Sequence, residues 1–145
     1  MAVLRDFPYG NAQFLVEIDG IAEAAFEQVL LPELAISVVE YRDGGDVERT
    51  VRKLPGPASY GSLVLKRGFA GSLTLYQWWQ QTMQGEEGAR RNMAIILLDE
   101  ERQEVARWRL SNAFPTRYTF SPLDALDGSV LVECLELAFD SLRME

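Results

Sequence analysis

The side chains best spaced for chemistry are carboxylates: Asp99 with Glu101, Glu133 with Glu136, and Asp43 with Asp46 around Gly44 and Gly45. Two carboxylates can hydrolyse a glycoside, one as acid and the other as nucleophile or base. Asp99 and Glu101 fall in a charged turn with no legible aromatic cleft around it. Glu133 and Glu136 fall inside the apolar run VLVECLELAF. Asp43-Gly44-Gly45-Asp46 lacks the alternating oxygen ligands and closing glutamate of a calcium loop and reads as a turn. The chain has no histidine, so imidazole base, proton shuttle and imidazole ligand are all missing. Ser-His-Asp and Cys-His arrangements are excluded with them. Cys134 is the single cysteine, which rules out an intrachain disulfide and a thiolate zinc site within one chain. It reads as a small buried hydrophobe. Neither GxGxxG nor GxxxxGK[ST] is present. The expectation is a non-enzymatic protein with no cofactor and no metal.

The elements around these residues read as architecture. A length of 145 residues fits one domain, 1–145, and a hydrophobic content of 48% supports a core without staples. Fourteen basic residues against 22 acidic give a net charge of −8, and the basic clusters Arg49, Arg52, Lys53 and Lys66, Arg67 are short with acids nearby. They read as solvated strand ends or intersubunit ion pairs, not as a specific nucleic-acid site. No stretch approaches the length of a membrane span. The first ten residues lack the apolar core of a secretory signal, so folding in the cytoplasm is expected.

Along the chain, 1–12 reads as a loose arm and 11–19 as a half-buried strand, with Phe14, Val16 and Ile18 on one face. Asp19-Gly20 signals a hairpin turn. The segment 21–34 is open between helix and strand, and Pro32 ends it. Ile36–Tyr41 reads as a strand returning through 47–52 after a glycine turn, with Pro55-Gly56-Pro57 interrupting the pairing. Ser62–Arg67 reads as a strand with Leu63 and Leu65 inward. Leu73–Gln84 reads as the one helix, with Ser72 as N-cap, Gly85 at C′, and Leu75, Trp79 and Met83 on its core face. Met93–Leu98 and Val105–Leu110 form a hairpin that Pro115 breaks. Arg117–Phe120 and Val130–Phe139 follow as separate strands. Many strands, one helix and no strand–helix–strand alternation point to a mainly β fold. The form expected is an antiparallel β-sandwich or partly open β-barrel with one flanking α-helix.

Several segments in unbroken order resemble the tail tube proteins of contractile phage tails and related contractile injection systems. They are FLVEIDGI at 14–21, VVEYRDGGD at 38–46, VRKLPG at 51–56, LVLKRG at 63–68, LYQWW at 75–79, RRNMAIILLDEE at 90–101, VARWRLSNAFPTRYTF at 105–120 and VECLELAFDSL at 132–142. The resemblance implies a homo-oligomer: rings of six stacked into a hollow tube inside a sheath protein, started by a baseplate or tube-initiator protein, with cargo or DNA in the lumen. It implies strands shared between neighbours and an outward helix. It assigns contacts between subunits or rings to Tyr41, Arg42, Asp43, Gly44, Gly45, Arg52, Lys53, Leu54, Pro55 and Gly56. The stretch EQVLLPEL at 27–34 departs from the family's glycine-containing turn, so a tube-initiator paralogue stays open beside the repeating subunit. A non-assembling β-sandwich binding module is the rival from another class. Glu17, Glu133 and Glu136 lie within strands and are candidates to line a lumen or a subunit boundary, there paired with Arg107, Arg109 or Arg117.

Overall fold

The computed structural model describes all residues except 20, 22–24, 43 and 46–50. It is mainly β, with nine strands and one helix among the described residues: β1 (Phe14–Ile18), β2 (Gln28–Leu30), β3 (Leu34–Tyr41), β4 (Arg52–Tyr60), β5 (Leu63–Gly68), α1 (Thr74–Met83), β6 (Arg91–Leu98), β7 (Glu104–Phe120), β8 (Val132–Ala138) and β9 (Ser141–Met144). Seven strands make one sheet in the order β1-β6-β7-β8-β5-β2, with β9 also paired to β7; β3 and β4 make a separate two-stranded sheet. All the pairings are antiparallel. The chain divides into two compact units, 1–31 with 62–145, and 32–61.

In the larger unit, alternation places Val16 and Ile18 of β1, Leu63 and Leu65 of β5, and Leu135 and Leu137 of β8 in one core with Met93, Ile95, Leu110 and Ala113. Strands from both ends of the sheet order therefore meet over the same apolar interior. β6 is buried on both faces, because Ala94, Ile96 and Leu98 form a second cluster. That explains why it reads as an unbroken apolar run and not as an alternating strand.

β7 corrects the sequence reading. It runs 17 residues through Pro115, where two separate strands were expected. Its first part pairs with β6 as far as Ala113, and its second part pairs with β8 alone. Pro115 thus lies where one side of the strand has no partner, followed by a register shift, and its missing N–H costs no ladder bond there. The strand bends at Asn112, which has φ 54°. Asn112 donates from its backbone N–H to Asn92 Oδ1 at 3.1 Å and from Nδ2 to Asp140 Oδ2 at 2.9 Å. Asp140 N–H donates to the Ser111 carbonyl at 2.9 Å, so β8 and β9 turn the same corner. β9 had no counterpart in the sequence reading.

The smaller unit also departs from expectation. β3 pairs with 52–60, not with 47–52, and Pro55-Gly56-Pro57 lies inside β4; residues 46–50 fall outside the described residues. A bulge between Ile36 and Val38 absorbs the irregularity, and Ser37 Oγ donates to the Pro57 carbonyl at 3.3 Å. A Cβ at Gly56 would collide with the Ser37 hydroxyl and come within 3.0 Å of its carbonyl, so the bulge requires glycine. In the 21–34 segment the described part is extended, forming β2 and the start of β3.

The helix buries Leu75 and Trp78, whereas Trp79 is half-buried and Met83 is 61% exposed. The expected Leu75–Trp79–Met83 face is therefore wrong beyond Leu75. The indole decides between the adjacent tryptophans, because a buried one needs a hydrogen-bond partner. Trp78 Nε1 donates to the Ala89 carbonyl at 2.5 Å, and Arg91 lies 5.5 Å over its ring. Leu73, not Ser72, takes the N-cap position and has no side-chain bond, although the Thr74 N–H reaches Ser72 Oγ at 3.5 Å. Gly85 ends it as expected, at φ 69°, with Glu86 N–H on the Gln81 carbonyl and Gly85 N–H on the Thr82 carbonyl. Trp78→Ala should destabilise the fold by about 3–5 kcal/mol in urea titration, and Trp79→Ala by distinctly less. An equal or larger loss at Trp79 would contradict this packing.

Candidate assembly surfaces

No described residue of 32–61 is buried. β3 carries Leu34, Ile36 and Val38 at 59%, 62% and 62% exposure. Such a two-stranded ribbon has little to hold it in water by itself. The expected contact residues fall along it in register: Tyr41 opposite Arg52, Glu40 opposite Lys53, Val39 opposite Leu54, and Val38 opposite Pro55, with Gly56 at the bulge. Arg42, Gly44 and Gly45 are exposed beyond the paired strands, and Asp43 falls outside the described residues.

The three strand glutamates have different environments. Glu17 meets Arg107 at 3.2 Å on the surface, and Arg107 also holds Glu104 at 2.5 Å. The hydrogen bond to Glu104 is the largest of the causes that raise the Arg107 pKa. Glu136 lies 3.7 Å from Arg117. Glu133 corrects the expectation of a lumen or boundary: it is 1% exposed, inside the core. Directly across from it on β5 is Arg67, whose Nε donates to Glu133 Oε1. Tyr118 Oη donates to Oε2 at 2.5 Å, and Arg67 Nη2 donates to Thr74 Oγ1 at the start of α1 at 3.3 Å. Period two places Glu133 and Glu136 on opposite faces, but nothing in the sequence pairs Glu133 with Arg67. Arg67 and Tyr118 were missed for the same reason: their link is through the tertiary fold. Burial, and then the bond to Glu133, push the Tyr118 phenol above its ordinary value of 10.0.

The arm at 1–12 is pinned, not loose. Arg5 donates to both oxygens of Glu100 at 2.9 and 3.1 Å, and its guanidinium lies 4.1 Å from the Phe7 ring centre and 3.8 Å from that of Tyr9. Chiefly through the Arg5 bond, Glu100 is held down to about 2. Among the described residues no three His, Cys, Asp or Glu side chains are grouped to hold a metal, and no helix is long and apolar enough to cross a membrane.

The sequence profile described as T4-like virus tail tube protein gp19 matches residues 10–143. The chain belongs to this tail tube family. Solved structures agree along nearly its whole length. A chain in the 6-fold symmetrised baseplate of the anti-feeding prophage shares 30% identity, with 97% of each chain covered and a TM-score of 0.84. A chain in the sheath–tube complex of the extracellular contractile injection system PVC, in its extended state, shares 26% identity over 97% of this chain and 93% of that one, with a TM-score of 0.82. A chain in the anti-feeding prophage tube-terminating cap shares 25% over 99% and 94%, also at 0.82. Comparison with curated protein sequences finds no significant match.

Within this tail tube protein, Glu133→Gln or Arg67→Met should each cost about 3–5 kcal/mol in denaturant titration, because one charge is left buried and unpaired. Glu17→Gln should cost no more than about 1 kcal/mol, its carboxylate being 61% exposed. A tolerated Glu133→Gln would refute the network. A second test uses pH. The raised phenol gives stability that is full below its unfolded value and declines as pH rises above it. The stability advantage of the parent over Tyr118→Phe should therefore shrink from about pH 9 to about pH 11. A constant difference would show that the Tyr118 hydroxyl is not engaged.

Proposed function

We propose that this chain is the repeating subunit of the inner tube of a contractile injection system, forming rings of six that stack into a hollow conduit. The observation that carries the reading is the match over 97% of the chain, at 26% identity and a TM-score of 0.82, to a chain of a sheath–tube complex. The described pairings fit a β-sandwich opened at its edges, because strands at both ends of the sheet order share one core with α1. Open sheet edges are a hazard in a free monomer and are removed by closure through neighbours. The hairpin, including Tyr41, Arg42, Gly44, Gly45 and Arg52–Gly56, is the proposed arm onto the adjoining subunit or ring. Glu17 and Glu136 are the remaining candidates for a lumen or a boundary. The sheath, a baseplate initiator and a cargo in the lumen are the partners, with assembly in the cytoplasm. The protein acts by shape and contact and carries out no reaction.

A tube-initiator paralogue is the second reading, favoured by the slightly higher identity to the baseplate chain than to the sheath–tube chain, 30% against 26%. A repeating subunit should extend into long tubes at high concentration or on a baseplate, whereas an initiator should stop at one or two rings. Negative-stain images and size-exclusion mass distinguish the two. A monodisperse monomer at high concentration, with a baseplate present, would overturn both. Hydrogen exchange across 34–60 should slow on assembly. Equal exchange in monomer and tube would remove the hairpin from the interface.

A further inference from the structure

The larger unit has two unlike sides. Along β5 and β8 burial alternates strictly: Leu65, Arg67, Glu133 and Leu135 point inward, whereas Lys66, Cys134 and Glu136 point outward and are half-buried. Register lines the outward residues up across four strands, in the row Gln28–Lys66–Cys134–Thr119 and, beside it, Glu136 with Arg117. Among the described residues this face gathers two cations, Lys66 and Arg117, and two carboxylates. The Glu136 carboxylate lies 3.7 Å from Arg117, and that of Glu27 comes within 3.2 Å of where a Cβ on Gly68, the next outward position of β5, would sit. The face is therefore charge-balanced in a chain of net charge −8. On the inward side of the same strands lie the core and α1, where Thr74 meets Arg67 and Tyr76 meets Tyr118. α1 has no charged residue, and Leu73, Tyr76 and Met83 are 52%, 40% and 61% exposed. The outer face of the other half of the sheet is sealed: Ala94 and Ile96 are buried, and Arg107, across from Ile96, is bonded to Glu17 and Glu104.

We propose that the balanced outward face of β2, β5, β8 and the second part of β7 is the wall of the conduit, and that it passes cargo of either net charge without holding it; the inference rests on the tube-subunit reading. The two sides of the unit decide which one faces the lumen. A conduit wall must stay wetted, whereas an exposed apolar side needs protein over it. The α1 side is the apolar one, which leaves the opposite, polar face for the lumen. Glu136 then belongs to the wall, and Glu17, on the sealed half of the sheet, does not. Equal numbers of both signs on one small face cancel each other's field at a distance, so neither a polyanion nor a polycation is drawn to the wall or driven from it. An unbalanced charge would recur in every subunit and select one sign. The acidic excess of the chain lies in turns and loops instead, at Glu86 and Glu87, at Asp99, Glu100 and Glu101, and at Asp124 and Asp127.

Cys134, the single cysteine, reports on this face without any substitution. In tubes of the full chain a small maleimide should label Cys134. A maleimide carried on a protein too bulky for the bore should not, although it labels the dissociated subunit. Bulky labelling along the tube would put the face outside, and loss of small-reagent labelling on assembly would put it in a subunit contact. Either result overturns the inference and leaves the tube reading standing. If Cys134 is unreactive in the free subunit, Thr119→Cys, at an exposed position of the same row, replaces it. Charge is tested at that same neutral position. Two fluorescent peptides of equal length and opposite net charge should enter and leave parent tubes at equal rates at low salt. Thr119→Glu tubes should hold the cationic peptide severalfold longer, Thr119→Lys tubes the anionic one, and both differences should vanish at high salt. A parent that holds one peptide over the other would refute the balanced wall. Variants that treat both peptides as the parent does would remove Thr119 from the lumen. Should the Thr119 variants fail to assemble, Gln28→Glu and Gln28→Lys, at the exposed opposite end of the row, take their place. A chain that forms no tubes would overturn the tube reading and this inference together.

Discussion

The larger unit depends on an ion pair inside its apolar core. Arg67 and Glu133 face each other across β5 and β8, with Tyr118 of β7 and Thr74 of α1 on the same network. Both carboxylate oxygens are occupied. Burying two charges gives little net stability, since desolvation offsets much of the attraction. The pair instead penalises alternatives. A slip of β5 on β8 by one residue would turn the β5 side chains to the other face and leave Glu133 buried without its counter-charge. The network thus ties three strands and the helix to one register, where leucines alone would tolerate several.

That register gives β7 two different surroundings. Its first part lies between β6 and β9, and its second part has β8 on one side only. The corner between them is built from short polar side chains, Asn92, Asn112 and Asp140, with Ser111 Oγ and Ser141 Oγ 2.5 Å apart. Asparagine is among the few residues that enter the left-handed region readily, which makes Asn112 a suitable hinge for a strand that must change partners. Beyond the bend the second part of β7 pairs with β8, and its rings run across the sheet, Tyr118 to Phe120 and Phe120 to Phe69 after β5.

The hairpin at 32–61 has the opposite character. Its two strands pair through a bulge, and no described residue in it is buried. Stability must come from what it meets, which is the usual condition of an element in an obligate assembly. The polar links in the larger unit and the apolar exposure of the hairpin therefore belong to one division of labour. In the proposed tube, the body holds its own shape and the hairpin is the arm offered for contact.

Much of this was determined by the sequence alone. Missing histidine and a single cysteine excluded imidazole chemistry and an intrachain disulfide at once. Alternation placed Val16, Ile18, Leu63 and Leu65 inward, and Gly85 marked the helix end, because these signals depend on residues near in the chain. The ordered segments were enough to indicate the family. The tertiary structure decided the rest. Pro115 and Pro55-Gly56-Pro57 read locally as breaks, yet each lies within a strand, because a proline is harmless where its nitrogen faces no partner. Helical spacing chose Trp79 for the core, whereas the Ala89 carbonyl, which the fold brings to the indole of Trp78, puts Trp78 there instead. Glu133 had the pattern of a surface carboxylate, and only the arrival of Arg67, 66 residues away, made its burial stable. Local spacing fixes which face a side chain points to, but whether that face meets water, a counter-charge or another strand depends on residues far along the chain.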